Sequence, residues 1–191
     1  ESLAKIEMNA AVEGNVVKVG WSTSDGSFRG RLLNFKIKVP RGCGLKVSTG
    51  AGGIQVAGTR GGLVARTGAG SIRSEGVVGA QDLDSGAGSL DVKGAMGGVS
   101  AVSRAGAVSV EGALSGRNRI ESNAGRVVLR LTGENNLRVE GSTGAGSVRN
   151  DFGWPISGNV SERVAGVVGD GKAGTVTLRS SAGGVEILRG K

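Results

Sequence analysis

Apolar and polar residues alternate along most of this chain, and glycine breaks the alternation at regular intervals. Near the N-terminus, Lys5-Ile6-Glu7-Met8 and Val17-Lys18-Val19-Gly20-Trp21 have the period of two that marks strands. Asp25-Gly26 is a hairpin signal. Leu33, Phe35, Ile37 and Val39 then alternate with Asn34, Lys36 and Lys38, which predicts a half-buried strand ended by Pro40, a residue that cannot donate to a ladder. Helix is nearly excluded beyond residue 42. Glycine-free stretches there are short, and each interior glycine costs a helix about 1 kcal/mol.

From Leu45 onward the pattern repeats. STGAGGIQVAG starts at Ser48, RTGAGSIRSEG at Arg66, DSGAGSLDVKG at Asp84 and VSRAGAVSVEG at Val102, each 18 residues after the last. Looser copies follow: ESNAGRVVLRL from Glu121, STGAGSVRNDF from Ser142 and RSSAGGVEILRG from Arg179. Small insertions precede the fifth and sixth copies and a long one, 151–173, precedes the seventh.

Stacking the copies aligns three apolar columns. One reads Ile54, Ile72, Leu90, Val108, Val127, Val148, Val185; a second reads Val47, Ala65, Leu83, Ala101, Ile120. The third, Val56, Ser74, Val92, Val110, Leu129, Asn150, Ile187, is apolar with two exceptions. One copy has too few apolar groups to close a core, whereas a stack has a continuous one. The recurring glycines suit sharp corners between short strands. The hydroxyl column Thr49, Thr67, Ser85, Ser103 reads as a polar ladder inside a turn. On the outward columns Arg66 falls one coil below Asp84 and Arg73 one coil below Asp91, as ion-pair ladders that hold register. These patterns predict an all-β protein: a single-chain parallel β-solenoid of about seven coils of roughly 18 residues, right-handed by the default for parallel connections. The expected single domain, 1–191, comprises N-terminal strands and a hairpin (1–44), regular coils (45–150), an irregular insertion or cap (151–174) and a last coil (175–191). Phe152, Trp154 and Ile156 in the insertion are candidates to shield an open end of the core, or to form an interface.

Composition narrows the function. Glycine accounts for 38 of 191 residues and histidine for none, so the commonest general base and metal ligand is absent. The formal net charge of +8 favours anionic partners. No acid falls between Asp25 and Glu75, while Arg29, Arg31, Lys36, Lys38, Arg41, Lys46, Arg60, Arg66 and Arg73 do, a candidate anion-facing patch. Cys43 is the only cysteine, so no internal disulfide forms. No apolar run reaches the roughly 18 residues of a membrane helix. The run 166–172 approaches a phosphate-binding loop, but Ala173 replaces the hydroxyl residue and a strand pattern follows where a helix is needed. Asp82, Asp84 and Asp91 are the candidate carboxylates for a polysaccharide-cleaving enzyme, and Arg66 and Arg73 are placed to neutralise two of them. The scarcity of aromatics argues against single-stranded nucleic acid. No catalytic, cofactor-binding or metal-binding residues are expected.

The order of elements carries a resemblance. LNFKIKVP closes on Pro40, Leu45-Lys46-Val47-Ser48-Thr49-Gly50 follows, tandem TGAGxI coils come next, and GTVTLRSSAGGVEIL ends the chain. This resembles the bacterial putative-adhesin family, domains of unknown function with a parallel β-solenoid fold. The resemblance implies a non-enzymatic, extracytoplasmic protein of the periplasm or cell surface, with any signal or anchor removed from this sequence. The partner expected is an anionic envelope polymer or surface. The alternative is a structural or signalling scaffold that self-associates through solenoid ends into a homo-oligomer.

Overall fold

The structure, a computed structural model, describes residues 6–13, 16–23 and 35–190. Among these residues the regular structure is all β-strand, as the glycine spacing requires. Contacts divide the chain into two units, Glu1–Lys38 and Val39–Lys191. In the first, β1 (Ile6–Glu13) and β2 (Val16–Thr23) form an antiparallel pair running from Ile6 opposite Thr23 to Glu13 opposite Val16. The expected Asp25-Gly26 turn lies outside the described residues. The half-buried strand expected at 33–39 is not found over its described part: Phe35, Ile37 and Val39 are exposed and in no strand. Alternation gives a segment an apolar face, but a strand also needs a neighbour to bond its backbone. None of the described strands pairs with this segment.

The second unit contains the repeats. Its strands are β3 (Leu45–Ala51), β4 (Ile54–Ala57), β5 (Leu63–Ala69), β6 (Ile72–Glu75), β7 (Gln81–Ala87) and β8 (Leu90–Gly97). β9 (Val99–Ala105), β10 (Val108–Leu114), β11 (Gly116–Ala124), β12 (Val127–Leu131), β13 (Leu137–Ala145) and β14 (Val148–Asn150) follow. β15 (Ile156–Ser157) and β16 (Arg163–Val168) lie in the insertion, and β17 (Gly174–Ala182) and β18 (Val185–Arg189) complete the chain. Each repeat gives one strand to a nine-stranded sheet and the next to a seven-stranded sheet, so one repeat is one rung of two sheets. Pairing between rungs is parallel, and its register matches the sequence columns: Ile54, Ile72, Leu90, Val108 and Val127 are successive partners. The inward residues of both sheets form one core. Ser74 and Gln81, polar residues inside it, satisfy each other by a 2.6 Å hydrogen bond from the serine hydroxyl.

The last repeat in sequence is not the last in space. The seven-stranded sheet runs β14-β18-β12-β10-β8-β6-β4, and the nine-stranded sheet runs β15-β16-β13-β17-β11-β9-β7-β5-β3. The seventh rung, β17 and β18, therefore lies between the fifth (β11, β12) and the sixth (β13, β14). Burial follows this spatial order. Ile54 and Val148, in the terminal rungs, are 7% and 5% exposed, while Val185, last of its column in sequence, is fully buried. Residues 132–136 must carry the chain from β12 across two strand spacings, about 9.6 Å, instead of one. The small insertion before the sixth copy supplies that length. β16 then pairs antiparallel with the outer edge of β13, so β13 lies between β16 and β17.

Two internal ladders follow the same order. Thr67, Ser85, Ser103 and Ser122 donate to the carbonyls of Gly52, Gly70, Gly88 and Gly106 in the preceding rung, at 2.8 to 3.0 Å. Ser180 then donates to Gly125 at 2.8 Å, and Thr143 to Gly183 at 2.7 Å. In the first rung, Thr49 donates instead to the Ala51 carbonyl of its own turn, at 3.3 Å. The corner glycines are fixed by conformation and by space. Gly88 has φ +146°, and a Cβ there would collide with the Gly70 carbonyl; Gly183 has the same φ and would collide with Gly125.

Candidate functional site

The insertion begins at a turn held by one side chain. Asn150 Oδ1 accepts from the backbone N–H groups of Phe152 (3.2 Å) and Trp154 (2.9 Å), and its amide donates to the Trp154 carbonyl (3.1 Å). Phe152 and Trp154 stack with ring centroids 4.7 Å apart, and both pack against the core. The Trp154 ring lies so close to Gly166 of β16 that a Cβ there would overlap it, and the Arg189 guanidinium sits 4.8 Å from the centre of the Phe152 ring. Ile156, grouped with these two in sequence, is exposed on the two-residue strand β15. Glu162 fastens the insertion to the sixth rung by accepting from the Val148 N–H at 2.6 Å.

Beside this turn is an open cleft of about 780 Å³, lined by β13, β16, β17 and the 155–161 segment. Its floor has a defined row. Arg163 of β16 is the cross-strand partner of Ser142 of β13, and Ser142 is the partner of Arg179 of β17. Paired residues project to the same face, so two guanidinium-bearing strands bracket one hydroxyl-bearing strand, with the arginine backbones about 9.6 Å apart. Thr177, Ser157 and Ser161 add hydroxyls, and Glu140 is the one acid in the lining. Among the described residues no carboxylate lies within ion-pair distance of Arg163 or Arg179. The acid beside Arg179 in the ladder is Glu121, but Glu121 bonds Arg119 at 2.6 Å. That hydrogen bond, and the Coulomb attraction with it, raises the Arg119 pKa above its ordinary value.

The cleft was not foreseen from the sequence. Arg163 lies in the irregular insertion, and only its pairing with β13 puts it next to Ser142. The basic block of the sequence is distributed instead. Arg29 and Arg31 lie outside the described residues, and Lys36 and Lys38 are exposed in the first unit. In the second unit Arg41 and Arg60 stack at one corner, where the Arg60 N–H donates to the Arg41 carbonyl at 2.7 Å. Lys46 and Arg66 face outward from the nine-stranded sheet, while Arg73 belongs to the seven-stranded one. The Arg73–Asp91 pair forms as expected, at 3.3 Å. Arg66 is in register with Asp84, but its guanidinium reaches diagonally to Asp82, at 3.2 Å.

The three candidate carboxylates do not converge, since Asp82 and Asp84 lie on one sheet and Asp91 on the other. The glycine-rich run at 169–172 is a turn that leads into β17 and not into a helix. Its Asp170 N–H donates to the Asn136 side chain at 3.2 Å. Among the described residues no cluster of three His, Cys, Asp or Glu could hold a metal, and no helix is long and apolar enough to cross a membrane. Cys43 is half-buried and free.

No family model matches the chain, and no curated protein matches it. One solved structure similar to it is a putative cell adhesion protein from Clostridium sporogenes ATCC 15579, at 14% identity and a TM-score of 0.39. That likeness covers 97% of this chain and 77% of the other.

Proposed function

We propose that this chain is a non-enzymatic, adhesin-like binding module of the bacterial cell envelope. It is read as a parallel β-solenoid outside the cytoplasm that holds an anionic envelope polymer. The solenoid reading is supported by one strand per repeat in each of two parallel sheets, in the register of the sequence columns. The observation that carries the binding reading is the row Arg163–Ser142–Arg179 on the cleft floor. Two guanidiniums with no carboxylate in ion-pair distance among the described residues, on either side of a hydroxyl, form a fork for a carboxylate- or phosphate-bearing chain. An open cleft suits a polymer that continues past the site. The net charge of +8 adds long-range attraction that salt screens.

The test is retention of the protein on peptidoglycan, anionic lipid vesicles and surface polysaccharide at about 0.1 and 0.5 M salt. Retention on one fraction at both salts is expected. The double variant Arg163→Ala/Arg179→Ala should weaken it about tenfold or more, at roughly 1 kcal/mol or more for each charge-assisted contact. Equal retention of the variant would remove the cleft as the site. No retention of the parent on any fraction would favour the self-associating scaffold.

A further inference from the structure

The seventh rung fills a slot between two rungs that both precede it in the sequence. One wall is β11 and β12, the other is β13 and β14, and residues 132–136 join them. β17 is paired along both walls, from Gly174 opposite Gly116 and Leu137 to Ala182 opposite Ala124 and Ala145. The walls match each other poorly at two positions. Closed in the register that β17 mediates, they would place Arg117 beside Arg138 and leave Ile120 facing Gly141, which has no side chain. With the rung in place, Thr175 separates the two arginines, and Val185 and Ile187 of β18, with Val164 of β16, fill the space beside Gly141. Arg126 pairs with Glu186 at 3.4 Å, and both internal ladders continue through Ser180 and Gly183. The slot is therefore a receptor for one strand–corner–strand segment of specified sequence, and every copy of this chain carries that segment.

We propose that the C-terminal rung, residues 174–190, is exchangeable, so that two copies form a dimer in which each slot takes the other copy's rung. The hinge is the arch at 169–173, which crosses the start of β13 from Val168 to Gly174, both partners of Leu137. Gly169 and Gly171 hold it in left-handed conformations, φ +61° and +71°. Opened out, these five residues span about 17 Å, enough to pass the rung to a neighbour instead of folding back over β13. Inside one chain the short tether gives the rung an effective concentration of about millimolar. Chains that fold in dilute solution therefore close on their own rung, and exchange sets in when chains fold together at comparable density, after which a seated rung leaves only when the chain unfolds. The proposal rests on the rung order alone, independent of the anion-binding reading.

The test co-refolds unlabelled and isotope-labelled parent chain from urea at about 5 µM and about 1 mM, reading native mass after dilution. Mixed-label dimers should appear at the higher concentration, persist on dilution, and not form when the two chains are folded separately and then mixed. A second measurement locates the contact. With Cys43→Ser in both, one chain carries Glu121→Cys and the other Arg179→Cys, and mild oxidation should link the two within the dimer. An Arg73→Cys chain, altered on the opposite sheet, should not link to the Glu121→Cys chain. Monomer at every concentration would overturn the proposal, as would dimers that give no 121–179 link or link equally through position 73.

Discussion

Thr143→Val isolates one rung of the hydroxyl ladder at the point where the chain departs from its sequence order. The Thr143 side chain is buried, and its hydroxyl donates at 2.7 Å to the carbonyl of Gly183 in the C-terminal rung. Among the described residues that hydroxyl is the carbonyl's only donor. Valine keeps the branched shape and removes the donor, leaving a part-buried carbonyl without its partner, which costs about 1–2 kcal/mol. For a chain of this length each kcal/mol lowers the melting temperature by about 2–4 °C, so a fall of about 2–8 °C is expected for a loss of 1–2 kcal/mol. Thr49→Val is the control, because the same residue type in the same column has an exposed hydroxyl bonded at 3.3 Å to its own turn. It should cost less than about 0.5 kcal/mol. The assay is paired urea and thermal unfolding of both variants, with hydrogen exchange at residues 174–190. A Thr143→Val effect no larger than that of Thr49→Val, or one that leaves protection of the C-terminal rung unchanged, would refute the reasoning.

Other variants test the remaining parts. Gly88→Ala forces a Cβ into the Gly70 carbonyl at a positive φ and should cost more than about 3 kcal/mol by urea midpoint. Gly53→Ala, whose Cβ would meet Ser71 at an ordinary 3.5 Å, should cost less than about 1 kcal/mol. Asn150→Ala removes the three bonds that hold the Phe152–Trp154 turn. In a Trp21→Phe background it should shift the fluorescence of the remaining Trp154 to the red. Arg73→Ala breaks an exposed pair with Asp91 and should change stability by less than about 1 kcal/mol, with any change lost in high salt.

Much of the fold was legible because the repeat is strict. The Ile54-to-Val127 column, the Thr67-to-Ser103 ladder and the corner glycines each depend on what a residue meets one rung away, and an 18-residue period reports that neighbour directly. The order of the last three rungs was hidden. The fifth, sixth and seventh copies present similar strands, and a repeat pattern says what a rung looks like without saying which rung lies beside it. The longer stretch at 132–136 was the available signal, and its meaning depends on a double step that only pairing reveals. The cleft stayed hidden for a related reason: Arg163 meets Ser142 through an antiparallel strand that belongs to no repeat. Arg66 shows a finer limit. Register puts it beside Asp84, but a long side chain reaches a neighbour off the row. At 35–39 the alternation was read correctly as a pattern, yet no described strand lies alongside to complete the ladder.

The most direct test of the rung order compares two double-cysteine variants of the monomer at micromolar concentration, each with Cys43→Ser. Glu121→Cys/Arg179→Cys joins the fifth rung to the seventh, and Glu121→Cys/Ser142→Cys joins the fifth to the sixth. In the structure residue 179 is the ladder partner of both 121 and 142, so 121 and 142 are two strands apart. Mild oxidation should close the 121–179 disulfide within one chain and leave 121 and 142 as free thiols. A 121–142 disulfide in the folded monomer, with 121 and 179 left reduced, would mean that the rungs stack in sequence order and would contradict the account.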